Sequence, residues 1–479
     1  MSKFSDKCRE LLVENGTNVY RLSISAEMER TKLQRMVTGK RLPNIEFVRR
    51  FCRELRMPVQ EEEQLLELYK REIVGEDVYR NRQCIRDLFR RLSSLEQSNY
   101  REIPGNFGGT CVFRENETAL DSFFSVYVLL EQCFLAKEPV HILTNFPASD
   151  KEFFRQLSLL HYKYKGNKVS VSHLIHFQIN TMLSFLNLQV LHSILPLALS
   201  NTLDYTAYYY YSKTSESDFS QLLFPYYVIT ENFVLEISGD LKNCILHTDG
   251  ERIKAYTQEF QRVLSLSKPL IQRSDTPESA WEQYKQRSPE EAPMTQVLEA
   301  QPCYRDLISD EEFLKMIEGK AGDFLPIAKG MLRDSKALHS REGEMFFTEN
   351  GLDYFCRTGK ITGQVATLLP PLTLNQRIEA LERFLQRDSI HRYYCISSEK
   401  LPLPLNLNFE IYGNKQFQLI QVEPSLEVSL FTITESSICE AFYDFAGSLR
   451  ESGLVLGEEE TNELVRAKVE GMKRLEQGF

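Results

Sequence analysis

At 479 residues, with 42% apolar and 26% charged side chains, the chain is long enough for about three domains, and its composition excludes a mostly disordered, collagen-like or disulfide-scaffold protein. Its formal net charge of -10 hides a split, because residues 1–60 carry 13 Lys and Arg against 7 Asp and Glu while residues 101–479 carry 37 against 51. A basic head on an acidic body is the sign of a polyanion-binding segment.

Apolar residues over 1–75 (Leu11, Leu12, Leu22, Leu33, Met36, Phe47, Val48, Phe51, Cys52) recur at three- and four-residue spacing. Turn signals at Asn15-Gly16, Gly39, Pro43-Asn44 and Pro58 cut this stretch into about five short helices. Asn44 is placed to cap a helix running to about Met57, and Pro58 suits the first turn of the next. From Gln60 to Gln97 the helical pattern continues through Leu65, Leu66, Leu68 and Tyr69 and then Ile85, Leu88, Phe89 and Leu92, as in a connecting arm. Pro104, Gly105, Gly108 and Gly109 then mark a boundary within 98–117.

Beyond it the pattern alternates. A helix over Phe123–Leu135 precedes the apolar run Val140–Thr144, which reads as a buried strand, and Asp150 is placed to cap a helix through Leu160. The apolar stretch Phe177–Leu199 contains Gln178, Asn180, Asn187, Gln189, His192 and Pro196, so it reads as a buried helix or strand and not as a membrane span. Residues 274–293, rich in Pro, Glu, Gln and Ser, read as a linker or exposed loop. On either side of it a similar order recurs. Val228–Ile237 and Asn243–His247 lead to helical Ile253, Tyr256, Phe260 and Leu264, while Leu405–Ile411 and Phe417–Val422 lead to Ile438, Ala441, Phe445 and Leu449. Two similar halves or a single mixed body both remain open.

The fold class expected is therefore multidomain: an all-α N-terminal domain over 1–75, a helical arm and linker over 76–117, and a mixed α/β body over 118–273 and 294–479. Ten cysteines without a C-x-x-C pair favour neither a zinc site nor a disulfide framework. The charged start MSKFSDKCRE lacks an apolar stretch, so no secretory signal is expected and the cytoplasm is the default compartment.

The most specific signal is NVYRLSISAEMERTKLQRMVTGKRLP, residues 18–43. A first helix over Asn18–Ala26 turns Leu22 inward and sets the small Ser23 where a second helix must approach. After a turn at Glu27 and Met28, a second helix over Arg30–Thr38 turns Leu33 and Met36 inward, and Gly39 ends it. Residues 5–70 resemble the XRE-type, phage-repressor-like helix-turn-helix family, with Val19 and Glu27 where that family usually carries Gln and Gly. The resemblance implies that the second helix enters the major groove of double-stranded DNA, with Arg30, Thr31, Gln34 and Arg35 reading bases. It also implies that Asn18, Lys32, Lys40 and Arg41 hold the phosphate backbone.

The body offers less chemistry. Its histidines show no H-E-x-x-H spacing, although His173 and His176 would share a face if that stretch were helical. His161-Tyr162-Lys163 opens like the H-x-K of phospholipase D-type sites, but Lys168 stands where the acid belongs, so the motif fails. Neither a phosphate loop nor a G-x-S-x-G turn is found, and Gly105–Gly109 reads as linker. Tyr205 and Tyr208–Tyr211 form an aromatic cluster suited to stacking on a ligand, with at least one alternating pair in the core. The stretch Phe346–Phe355 reads as a turn-rich wall, and Asp240, Asp249, Glu251 and Asp353 are carboxylates that folding could bring together. No catalytic residue, metal ligand or cofactor is assigned. The function expected is a non-enzymatic, sequence-specific DNA-binding transcriptional regulator, a homodimer whose body senses a small-molecule or peptide effector or mediates assembly. An enzyme-like body on a DNA-binding head, and a protein-binding scaffold with a degenerate helix-turn-helix, are the alternatives.

Overall fold

The computed structural model describes residues 2–97, 120–136, 138–148, 150–164, 168–178, 184–200, 203–212, 223–285, 296–318, 325–326, 329–330, 332, 342–362, 369–387, 391–422 and 428–476. The boundary expected within 98–117, including Gly105–Gly109, lies outside these residues. The chain divides into two compact units, Met1–Gln83 and Cys84–Phe479.

The first unit is all helical: α1 (Lys3–Glu14), α2 (Val19–Ser25), α3 (Arg30–Val37), α4 (Ile45–Glu54), α5 (Val59–Val74) and the start of α6 (Glu76–Gln97). Asn18 and Asn44 cap α2 and α4 by accepting the backbone N–H of Arg21 and Phe47, as short polar side chains do at helix starts. Phe4, Cys8, Leu22, Leu33, Met36, Val48, Phe51, Leu65 and Tyr69 close one apolar core. The stretch expected as a connecting arm is thus split at Gly75. Helix α5 belongs to the head's core, whereas Ile85, Leu88, Phe89 and Leu92 of α6 belong to the body's.

The second unit holds two mixed sheets. The first comprises β1 (Leu120–Asp121), β2 (Val140–Thr144), β3 (Val169–Gln178), β4 (Asp204–Ser212), β5 (Tyr226–Ile229), β6 (Val234–Ile237), β7 (Asn243–His247) and β8 (Lys268–Pro269). Its helices are α7 (Ser122–Leu135), α8 (Lys151–Lys163), α9 (Ser184–Ala198) and α10 (Gly250–Leu264). The second comprises β9 (Gln272–Ser274), β10 (Gln296–Leu298), β11 (Glu344–Thr348), β12 (Arg392–Ile396), β13 (Leu407–Tyr412), β14 (Gln416–Val422) and β15 (Val428–Ile433). With it run α11 (Pro277–Lys285), α12 (Tyr304–Leu307), α13 (Asp310–Ile317), α14 (Glu349–Thr358), α15 (Leu374–Leu385), α16 (Ser436–Leu449) and α17 (Glu458–Glu476).

The strand orders are β1-β7-β6-β5-β2-β3-β4-β8 and β9-β15-β14-β13-β10-β11-β12. Read from the β1 and β9 edges, they are the same order. In each, three parallel strands linked through helices (β2-β3-β4, β10-β11-β12) continue into three antiparallel ones (β5-β6-β7, β13-β14-β15). A helix follows, α10 or α16, and the chain then returns to the far edge, where Pro269 pairs with Tyr208 and Val455 with Ile396. The body is therefore an internal duplication at the level of topology. The repeat suggested by the sequence was displaced by one strand, because Val228–Ile237 is not one strand but the hairpin β5–β6.

Three further readings change. Residues 274–285 are not a linker: α11 sets Ala280 and Trp281 on Ile420, Val422 and Leu430. Phe346–Phe355 is not a turn-rich wall, since Phe346, Phe347, Leu352 and Phe355 are core residues of β11 and α14. His173 and His176 lie on β3, where neighbours three apart face opposite sides. One apolar core runs through both halves, joining Ile142 and Leu191 to Phe346, Phe417 and Phe445.

Candidate functional site

In the head, the turn between α2 and α3 is made by Ala26–Glu29, with Glu27 in the left-handed region at φ 48. The strain of a left-handed non-glycine residue is offset by packing: Ala26 and Met28 are buried, and the Arg50 guanidinium donates to the Ala26 carbonyl oxygen at 2.8 Å. Helix α3 sinks Leu33, Met36 and Val37. Its helical period leaves Arg30, Thr31, Lys32, Gln34 and Arg35 exposed, and Lys40 and Arg41 follow in the exposed loop. Gly39 permits that exit, for its φ is 69 and a Cβ there would lie 3.0 Å from Ser5 Oγ.

These side chains are not equally available. The Arg30 guanidinium lies 5.2 Å from the centre of the Tyr20 ring, and Lys32 pairs with Glu29 at 2.8 Å. Asn18 spends its side-chain oxygen on the α2 cap. Tyr20 and Arg50 were not singled out from the sequence, because Tyr20 meets Arg30 only across the turn and Arg50 reaches Ala26 from 24 residues away.

In the body, His173 is fully buried, with Nε2 2.8 Å from the Phe146 carbonyl oxygen and Nδ1 2.7 Å from the Tyr205 hydroxyl. A carbonyl only accepts, so Nε2 carries the proton and Nδ1 accepts from Tyr205. Burial lowers the His173 pKa to about 4, which keeps the ring neutral. His161 sits on α8, and Lys163 pairs with Glu131 at 2.7 Å. The scattered carboxylates do not converge: Asp240 accepts from Ser238, Asp249 caps α10, Glu251 is exposed and Asp353 pairs with Lys468.

In the second half, Tyr393 donates to Asp306 and Tyr412 to Glu410. Burial, with Glu410 and Asp306 nearby, pushes the Glu299 carboxyl well above the usual carboxylate range. Among the described residues no group of three or more His, Cys, Asp or Glu is arranged to hold a metal ion. Burial pushes the thiols of Cys133, Cys395 and Cys439 up to about 12, so these cysteines are packed, protonated side chains and not thiolate nucleophiles. No helix among the described residues is long and apolar enough to cross a membrane.

No protein-family model matches the chain, and no curated protein matches it. Among solved structures it is similar to the phosphatidylserine synthase of Haemophilus influenzae Rd KW20, at 9% identity and a TM-score of 0.23, over 76% of this chain and 96% of that one. A likeness that low carries no argument about the chemistry of this chain. The expectation of a sequence-specific DNA-binding transcriptional regulator with a ligand-sensing or assembly region is corrected here, since the comparison gave a phosphatidylserine synthase and not such a regulator. Exposed cations by themselves supply charge and not base selection, and of the expected DNA contacts Arg30 lies on the Tyr20 ring and Lys32 pairs with Glu29.

Proposed function

We propose that α2 and α3 form a helix-turn-helix of the XRE type, and that the chain is a polyanion-binding protein that uses the face this unit leaves open. One observation carries the reading: Arg35, Lys40 and Arg41 stand exposed at the end of α3 and in the loop after it, while Leu33, Met36 and Val37 of the same helix fix its orientation by filling the core. The Lys40 and Arg41 backbone N–H groups both donate to the Arg35 carbonyl oxygen, at 2.9 and 3.4 Å, which ties the loop to the end of α3. Charge and shape are the whole of the proposal; neither base selection nor control of transcription is part of it.

A polyanion with closely spaced charges releases counterions when such a surface binds, so affinity falls steeply with salt. The test is binding of the full chain to heparin fragments across a salt series. Substituting Arg35, Lys40 and Arg41 together by Gln is expected to weaken binding and to lower the slope of log affinity against log salt by roughly one for each contact removed. Thr31→Ala and Gln34→Ala should leave both unchanged. Binding that ignores salt, or that survives the triple substitution, would overturn the proposal.

A further inference from the structure

A cleft of about 410 Å³ opens at the end of β4, lined by Tyr209, Tyr210, Tyr211, Arg262, Leu266 and Lys268 together with Val263. That volume lies within the range of small-molecule sites. We propose that it binds a planar ring bearing an anionic group, a carboxylate or a phosphate, with the ring on Tyr211 and the anion on Lys268.

The aromatic wall is rigid. Tyr211 is 47% exposed, yet its hydroxyl donates to Glu435 Oε1 at 2.7 Å and its ring meets that of Tyr209 edge-on at 5.6 Å. A ring already held in place loses little freedom when a ligand stacks on it. Glu435 is buried as the cap of α16, and its second oxygen accepts from Ser437 and from the Ile438 N–H, so its position behind the Tyr211 ring is fixed. Arg262 is held in a fork by Glu259, at 2.6 and 2.9 Å. Lys268 has no ion pair among the described residues and is exposed, which makes it the cation left for a ligand. Leu266, 72% exposed, adds apolar surface beside it.

The duplication supplies an internal control. Tyr208 pairs with Pro269 as Ile396 pairs with Val455, so Ser397 occupies the place of Tyr209 and Leu454 that of Lys268, and beyond this point the chain turns at Ser398–Lys400 where β4 runs on to Ser212. In the second half the Ser397 N–H donates to the Leu454 carbonyl oxygen at 2.9 Å, and Lys400 donates to that of Gly453 at 3.0 Å. The sheet edge is thus built there with Ser397 and Leu454 in place of the Tyr209 ring and the Lys268 cation, so neither is required for that pairing, and the extension of β4 that carries Tyr210 and Tyr211 belongs to the first half.

The experiment is calorimetric titration of the full chain with four probes: adenosine monophosphate, salicylate, and their neutral counterparts adenosine and salicylamide. At least one anion is expected to bind with a Kd below about 1 mM and about threefold more tightly than its neutral counterpart. Lys268→Gln should abolish that preference while leaving the neutral compound unchanged, and Tyr211→Ala should weaken both by about tenfold. Preference for the phosphate or for the carboxylate identifies the source of the anion. Tyr211→Phe keeps the ring but loses its hydrogen bond to Glu435, so it should bind less tightly than the wild type and more tightly than Tyr211→Ala, which separates stacking from a fault in folding. Absence of binding for all four probes, or affinities that none of these substitutions changes, would overturn the assignment.

Discussion

A buried histidine that must stay neutral makes stability depend on pH. His173 has its folded pKa lowered from 6.5 to about 4 by burial. Above the unfolded value both states are neutral and its contribution is present in full; as the pH falls toward the folded value the unfolded chain takes up the proton and the folded one does not. The penalty accumulated across that window is roughly 3 kcal/mol. Replacing His173 by Gln removes the titration but also the hydrogen bonds to Tyr205 and Phe146. In urea denaturation the wild type should therefore exceed the variant most at neutral pH, and the gap should narrow by about 2 kcal/mol between pH 7 and 4.5. A gap of constant size would show that His173 does not titrate in this range. Nothing in the sequence foretold this role: the spacing of His173 and His176 suits a helix face as well as a strand, and only the strand separates them. The polyanion-binding candidates were more legible, because a period of 3.6 with Leu33 and Met36 inward leaves few choices for what faces out.

At the scale of single elements, legibility followed turn chemistry. Val140–Thr144 was read correctly as a buried strand, an apolar run between polar neighbours. The β5–β6 hairpin was missed because its turn, Thr230–Phe233, contains neither Gly nor Pro. It is made by Thr230, whose Oγ1 accepts the N–H groups of Asn232 and Phe233 at 3.2 Å, a weaker signal than a glycine turn. Residues 274–285 read as linker for the opposite reason, since polar composition concealed two anchors, Ala280 and Trp281. Two glycines show how element ends differ in what they tolerate. Gly413, at φ 56 in the β13–β14 turn, has nothing within 4 Å of a built Cβ, whereas at Gly359, φ 70 at the end of α14, that atom would lie 2.1 Å from the Leu372 carbonyl oxygen. Gly413→Ala should cost about 1 kcal/mol of backbone strain, and Gly359→Ala about 3 kcal/mol once the clash is added. Equal losses in denaturant midpoint at constant m would mean that the chain around Leu372 yields freely.

For the molecule as a whole, the repeat raises the question of whether each half folds by itself. The strand order could have arisen with two independent cores, yet the apolar cluster that includes Ile142, Val171 and Leu191 of the first half continues into Phe409, Phe417 and Phe442 of the second. Asn187 on α9 donates to Ser437 on α16 at 2.9 Å, and Phe89 of α6 lies edge-on to Phe409 at 4.7 Å. Such sharing makes the halves one cooperative unit, since unfolding either exposes the other's buried face. The sequence revealed the recurrence of strand pairs before a helix but not this fusion, because periodicity tells which residues are buried and not against which partner. Phe442 tests it: the residue is 1% exposed and its ring stacks on Phe417 at 4.1 Å. Phe442→Ala should cost about 3 to 5 kcal/mol, and hydrogen exchange should report lower protection in β3 of the first half together with β14 of the second. Loss confined to the second sheet would mean that the two halves unfold separately despite their common core.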